Sequence, residues 1–417
     1  MKRNYYIVVL ILLTFFVISF FTNILGALNP SVSHSFALSE TMAGFLPFSF
    51  FIAYGVMSIP AGFMVEKFGE KKMIVTAFIL SLIGSLVFTN TPILIVFLIS
   101  LFTIGTGMAI LQVAINPLLR VSGGEENFAF NSVMAQLVFG LASFISPQVY
   151  SWLVTSLEKS NGSTNLLIEQ LSALVPPSLT WVSIYWIFAM LSLAMIVLIL
   201  SSKFPTVELK EDEKTGTKDS YIDLFKNKYV ILYFLGIFAY VGTEQGVSYW
   251  MSKFLSIYHG YDHQTVGADA VAYFWGLMTV GGLLGLVLLK IVDSKIVLRW
   301  FTLASIISLI VALLGSGTIS LYAFPAIGFF MSVMYPIIVS LALNSVKKHH
   351  GSFAGILMTG IMGGAIVQLL IGLISDFTSL KVGMTFNFIT MAYIFSIGIW
   401  AKPLITNKTI NLFKKKE

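Results

Sequence analysis

Cysteine is absent from the 417 residues, and charge is scarce: Asp, Glu, Lys and Arg make up 11% of the chain against 57% apolar residues. The first absence excludes disulfides, thiol chemistry and cysteine-ligated zinc, and leaves the redox compartment open. The second excludes a water-soluble fold, whose ordinary composition is about 25% charged. The five histidines (His34, His259, His263, His349 and His350) fall near helix ends, without metal-ligand spacing. No Walker loop or nucleophile–base motif accompanies them, so a membrane enzyme is the class with least support. The net charge of +6 is not gathered on one soluble unit, which argues against a nucleic-acid partner.

What the chain has instead is a succession of long apolar runs, with mean hydropathy +0.89. Twelve stand out: 5–36, 40–68, 71–90, 92–120, 126–156, 180–202, 229–258, 264–292, 294–315, 318–347, 350–378 and 382–402. Each is long enough to cross a hydrocarbon core of about 30 Å as a helix. Alternating barrel patterning is absent, so the expected fold class is all-α and integral to the membrane. The run that begins near Met1 superficially resembles a signal peptide, but it continues through Asn23 and Gly26 without a small-residue cleavage site. It reads as the first span.

Basic residues are sorted by side. If the N-terminus is cytoplasmic, all of the 25 Lys and Arg but Lys159, Lys253 and Lys381 fall in cytoplasmic segments, as the positive-inside rule requires. Both termini are then cytoplasmic, and a multi-pass protein of the cell inner (plasma) membrane is expected. The charged connection 203–228 divides the spans six and six. The expected organisation is a bundle over 1–202, a linker over 203–228, a second bundle over 229–402 and a cytoplasmic tail over 403–417. Asn116-Pro117 and Tyr335-Pro336, about 220 residues apart, occupy matching places in the two halves, as parallel repeats would. Each proline frees a carbonyl one turn back, at Val113 and Ser332. Residues 163–175 read as a short interfacial helix stopped by Pro176-Pro177, Asn161-Gly-Ser163 matches a glycosylation sequon by a common pattern, and Trp152, Trp181, Trp300 and Trp400 read as interface anchors.

Glu244 is the one carboxylate deep inside an apolar run, within Tyr240-Val-Gly-Thr-Glu244-Gln245-Gly-Val-Ser-Tyr-Trp250. An ionisable group at that depth is costly, which makes it a candidate functional group; the alternative is an interhelical hydrogen bond. Candidate cavity residues are Asn23, Gln112, Asn116, Gln136, Tyr240, Gln245, Trp250, Trp275, Tyr335 and Gln368. Amides bracket adjacent hydroxyls, and aromatic faces stack on the C–H face of a pyranose. No Lys or Arg lies near a midplane, so a phosphorylated or carboxylated solute lacks a counter-charge. The same amides also serve as glue between helices.

Between the second and third runs, Gly62-Phe-Met-Val-Glu66-Lys67-Phe-Gly69-Glu70-Lys71-Lys72 resembles the G-x-x-x-D-R-x-G-R-K signature of the major facilitator superfamily. Glu66 and Lys67 replace its Asp and Arg, which weakens any bidentate gate contact. Gly62, Glu66, Lys67 and Gly69 are the candidate gating residues. Within that superfamily, Gln112-Val-Ala-Ile-Asn116-Pro117, Tyr240–Glu244, Tyr273-Phe-Trp275-Gly276, Ser332–Pro336, Gly363-Gly364-Ala365 and Asp376 resemble the fucose–galactose–glucose:proton symporters. The resemblance covers essentially the whole chain. It implies two six-helix bundles, no cofactor, a neutral monosaccharide as substrate, coupling to H⁺ or Na⁺, alternating access and a monomer. Proton-coupled members carry carboxylates at the position of Gln112 and on helix one near Gly26. Here both are uncharged, and the burden of coupling moves to Glu244. The rival readings are a drug:proton antiporter, a sugar uniporter and a non-transporting sugar sensor, the last disfavoured by the short linker and tail.

Overall fold

The computed structural model describes residues 4–124, 128–159, 165–205, 214 and 216–404. Among these, twelve helical elements are long and apolar enough to cross a membrane. They are span 1 (Tyr5–Ser35), span 2 (Glu40–Phe68), span 3 (Glu70–Asn90), span 4 (Leu94–Gly123), span 5 (Phe130–Glu158), span 6 (Pro177–Leu200), span 7 (Lys228–His259), span 8 (His263–Ile291), span 9 (Ser294–Leu314), span 10 (Gly317–Leu343), span 11 (His350–Phe377) and span 12 (Leu380–Trp400). Lys2, Arg3, the sequon at Asn161–Ser163, linker residues 206–213 and 215, and the tail from 405 lie outside the described residues. An even number of crossings places both described ends on one face, the terminal face; the opposite one is the far face.

Short polar residues start the helices. Ser39 Oγ accepts from Met42 N, Asn227 Oδ1 from Tyr229 N and Asp293 Oδ1 from Lys295 N, each satisfying a first-turn amide that lacks an intrahelical partner. Between spans 5 and 6 a helix forms over Leu166–Leu174, where the sequence places one, burying Ile168 and Leu171. A second short helix, Lys218–Phe225, precedes span 7.

The repeat is visible in the packing. In the first half span 2 packs on span 4, span 3 on spans 4 and 6, and span 1 on span 5; the corresponding pairs 8 with 10, 9 with 10 and 12, and 7 with 11 recur in the second half. Even a close backbone contact is repeated: a Cβ on Gly105 of span 4 would meet the Phe50 carbonyl, and one on Gly328 of span 10 would meet the Phe274 carbonyl. The two prolines behave differently. Span 4 stays helical through Pro117 over Leu94–Gly123. Span 10 breaks at Ser332–Val333 between helices Gly317–Met331 and Met334–Leu343. Span 1 also breaks, at Asn23–Ile24, and span 11 passes through a 3₁₀ turn at Gly360–Met362.

One tryptophan departs from expectation. Trp152 and Trp300 are exposed, but Trp181 is 2% exposed. Its indole N–H donates to Ser35 Oγ at 2.9 Å, and its ring packs with Phe36, Phe88 and Phe97. The ends of spans 1, 3, 4 and 6 converge there, so the ring fills a core and does not anchor an interface.

Candidate transport site

Glu244 sits in span 7 where the helix is continuous from Lys228 to His259. One turn earlier, the Tyr240 hydroxyl donates to Glu244 Oε1 at 2.6 Å. The i, i+4 spacing puts both groups on one face. Tyr335, from the break in span 10, stands with its ring 5.6 Å from Tyr240. Its own hydroxyl reaches the Met358 sulfur at 3.9 Å, a weak acceptor. Tyr54, from span 2, closes the group from the first half, its hydroxyl partnered by Thr22. Tyr54 is 2% exposed. In the sequence it is one more aromatic in an apolar run, with nothing to distinguish it from core.

The candidate amides differ in exposure and in the partners they already hold. Asn116 and Gln136 are exposed and Gln112 half-buried, and the Asn116 side-chain amide donates to the Gln112 backbone carbonyl at 3.2 Å. The buried Gln112 Oε1 has no hydrogen-bond partner, and neither does the indole nitrogen of Trp275. A buried acceptor and a buried donor without partners each cost roughly 1–3 kcal/mol unless something fills them. Asn23, at the break in span 1, donates to Ser143 Oγ of span 5 at 2.7 Å, and Ser143 shares a 2.6 Å bond with Ser19. Gln245 is buried beside Glu244.

Trp250 and Gln368, expected in the cavity, are sealed in this conformation. The indole N–H of Trp250 donates to Gln368 Oε1 at 3.0 Å, and Gln368 Nε2 donates to the Gly242 carbonyl at 3.2 Å. Both are fully buried. Two interfaces compete for such amides, and here span 11 packing on span 7 takes them.

The two halves are zipped together at the far face. Asn29 donates to the Tyr249 carbonyl at 3.1 Å, and the Tyr249 hydroxyl to the Ala43 carbonyl at 2.6 Å. Asp376 of span 11 accepts from the amides of Glu40 and Thr41 at the start of span 2, at 2.7 and 2.9 Å. Lys253 of span 7 binds Glu40 at 2.6 Å and Ser33 at 3.3 Å. Gln148 of span 5 donates to Asp269 of span 8 at 2.7 Å. Gly26 lets the backbones of spans 1 and 7 meet: a Cβ there would lie 2.2 Å from the Ser248 carbonyl. Among the described residues, spans 4 and 10 share no extended interface. The arrangement is closed at the far face.

Residues 10–369 match the sequence profile of the Major Facilitator Superfamily. The chain belongs to the major facilitator superfamily. Among the relatives of this superfamily member, a glucose/galactose transporter of Brucella abortus (strain 9-941) is 30% identical, over 95% of each chain. The L-fucose-proton symporter of Escherichia coli K12 is 27% identical over 87% of this chain and 85% of its own. Among solved structures, the superfamily transporter FucP in its outward conformation superposes with a TM-score of 0.68 at 21% identity, covering 95% of this chain and 98% of that one. These relatives are named as transporters and not as enzymes.

The superfamily signature takes a definite shape here. Gly69 has φ +83° and ends span 2 as it begins span 3; a side chain would be strained at that angle. Gly62 is buried, whereas Glu66 and Lys67 are exposed, with the Lys67 ammonium 5.3 Å from the Phe68 ring. Lys71 does the bridging: its Nζ donates to the carbonyls of Leu200 and Ser202 at 3.1 and 2.7 Å, capping the end of span 6 with positive charge.

Proposed function

We propose that the protein is a secondary active transporter that imports a neutral monosaccharide together with a proton, by alternating access. The observation that carries this reading is the set of polar groups that spans 4, 5 and 7 supply. It offers the amides of Gln112, Asn116 and Gln136, with one carboxylate, Glu244, set behind two phenols. Uncharged donors and acceptors suit a hydroxylated solute. The relatives named for glucose, galactose and fucose support the substrate class, and the symporter among them supports the proton.

On this reading Gln112 Oε1 accepts from a sugar hydroxyl and the Trp275 indole donates to a sugar oxygen, giving both orphaned atoms the partners they lack. Asn116 and Gln136 bind the ring, and Asn23 steadies the site from span 1. Glu244 carries the proton. The terminal face is cytoplasmic, by the positive-inside distribution of Lys and Arg, so the far-face closure is the external gate. As that gate opens, Trp250 and Gln368 join the lining of an outward cavity.

Uptake into proteoliposomes tests this. Labelled glucose, galactose and fucose are each offered with no gradient, an inward proton gradient or an inward sodium gradient. Accumulation of at least one sugar above equilibrium under the proton gradient alone supports the proposal. Accumulation under sodium alone replaces the ion, and no uptake of any sugar by folded protein removes the sugar reading.

A further inference from the structure

The 2.6 Å bond from Tyr240 to Glu244 commits the only proton that this phenol can donate. Tyr240 is 3% exposed, and its ring is held against Tyr335, so the hydroxyl has few alternatives within reach. Two phenols are the titratable groups facing Glu244: Tyr240 from its own helix and Tyr335 from span 10. Spans 1, 8, 11 and 12 and the helix Lys218–Phe225, also packed on span 7, direct no cation and no second carboxylate at it among the described residues.

Protonation allows this bond to reverse. A charged carboxylate only accepts, so the phenol must donate to it. A neutral carboxylic acid has an O–H of its own and can donate to the phenol oxygen. The phenolic hydrogen is then released from Glu244. One proton enters at Glu244 and none leaves Tyr240.

We propose that Tyr240 is the positioning residue through which a proton on Glu244 creates a hydrogen-bond donor for the sugar. The inference rests on the reading of Glu244 as proton carrier, and it assigns an order: the proton binds first and the sugar second. It also assigns a reason for the absence of charge at Gln112. The donor that distinguishes loaded from unloaded states lies on span 7, so span 4 can remain neutral and bind sugar alike in both.

The experiment uses the purified full-length protein and two probes, D-galactose and L-fucose. Equilibrium binding is measured at acid and alkaline pH in wild type, Tyr240→Phe and Glu244→Gln, each shown to be folded by its thermal transition. Wild type should bind roughly tenfold more weakly at alkaline pH, the worth of one hydrogen bond. Glu244→Gln should bind at the acid-pH affinity throughout, because its carboxamide donates to Tyr240 as the neutral acid does. Tyr240→Phe should bind roughly tenfold more weakly than wild type at acid pH, with no pH dependence. Wild-type pH dependence in Tyr240→Phe overturns the proposal.

An infrared difference spectrum supplies a readout without sugar. The Glu244 carboxyl band, identified by its loss in Glu244→Gln, should change frequency in Tyr240→Phe. An unchanged band overturns the proposal whatever the substrate. A shifted band with neither sugar bound by wild type defeats the sugar reading, and with it the link from proton to sugar.

Discussion

Lys253 and Glu40 form an ion pair of 2.6 Å across the two halves, with side chains only 11% and 21% exposed. The lysine also reaches Ser33 at 3.3 Å and lies 5.8 Å over the Trp250 ring. Glu40 begins span 2, where Asp376 binds its backbone amide. Spans 1, 2, 7 and 11 are therefore joined at one charged point, which must come apart each time the far face opens.

Removing one partner strands the other charge in a half-buried site. Lys253→Met and Glu40→Gln should each shift the protein toward the far-open state by about 1.5–3 kcal/mol, the range for a hydrogen bond to a charged group. The double variant Lys253→Met/Glu40→Leu should shift it less than either single one, because an apolar pair leaves no stranded charge. The native chain has no cysteine, so Ala27→Cys is a clean reporter. Its labelling rate by an impermeant maleimide added outside should rise in the single variants and fall back in the double.

A side chain at position 26 obstructs the same closure differently. The Cβ of Gly26→Val would press on the Ser248 carbonyl, 2.2 Å away in the closed arrangement. Backbone on both sides leaves little room to relax. Gly26→Val should bind sugar from the outside and fail to transport it, as read by binding and by uptake on the same preparation.

Much of this arrangement is legible in the sequence, and what is not has a physical reason. The spans follow from apolar run length, and Glu244 stands out because a carboxylate inside such a run is expensive. Glu40 and Lys253 gave no such signal. Charges near helix ends read as solvated, and their pairing depends on a contact between residues 213 apart in sequence. Tyr54 was hidden for the opposite reason, since a phenol in an aromatic-rich run resembles core. Trp250 and Gln368 read as cavity residues by their polar atoms, yet only the packing of span 11 on span 7 decides whether those atoms face a ligand or each other.

Trp181 offers a stability test of that kind of misreading. Truncating a buried ring typically costs about 3–5 kcal/mol, and Trp181→Ala also leaves Ser35 without its donor. Trp300, 66% exposed, should tolerate Trp300→Ala with little change. Thermal unfolding of the two variants in the same detergent should separate them by several degrees.

Gln112 should matter for binding and not for coupling. Gln112→Ala removes the unpartnered acceptor and should weaken sugar binding by about 1 kcal/mol, or roughly fivefold. The proton-driven accumulation ratio should be unchanged once sugar is raised to compensate. Uptake measured over a range of sugar concentrations distinguishes the two effects.

Coupling requires that Glu244 carry the proton, and proton movement itself is the most direct measure of that. Proteoliposomes containing a trapped pH indicator are given the transported sugar with no imposed pH gradient. Wild type should acidify the lumen as sugar enters, while Glu244→Gln should let sugar equilibrate with no acidification. Acidification by Glu244→Gln equal to wild type would contradict the account and place the proton on another group.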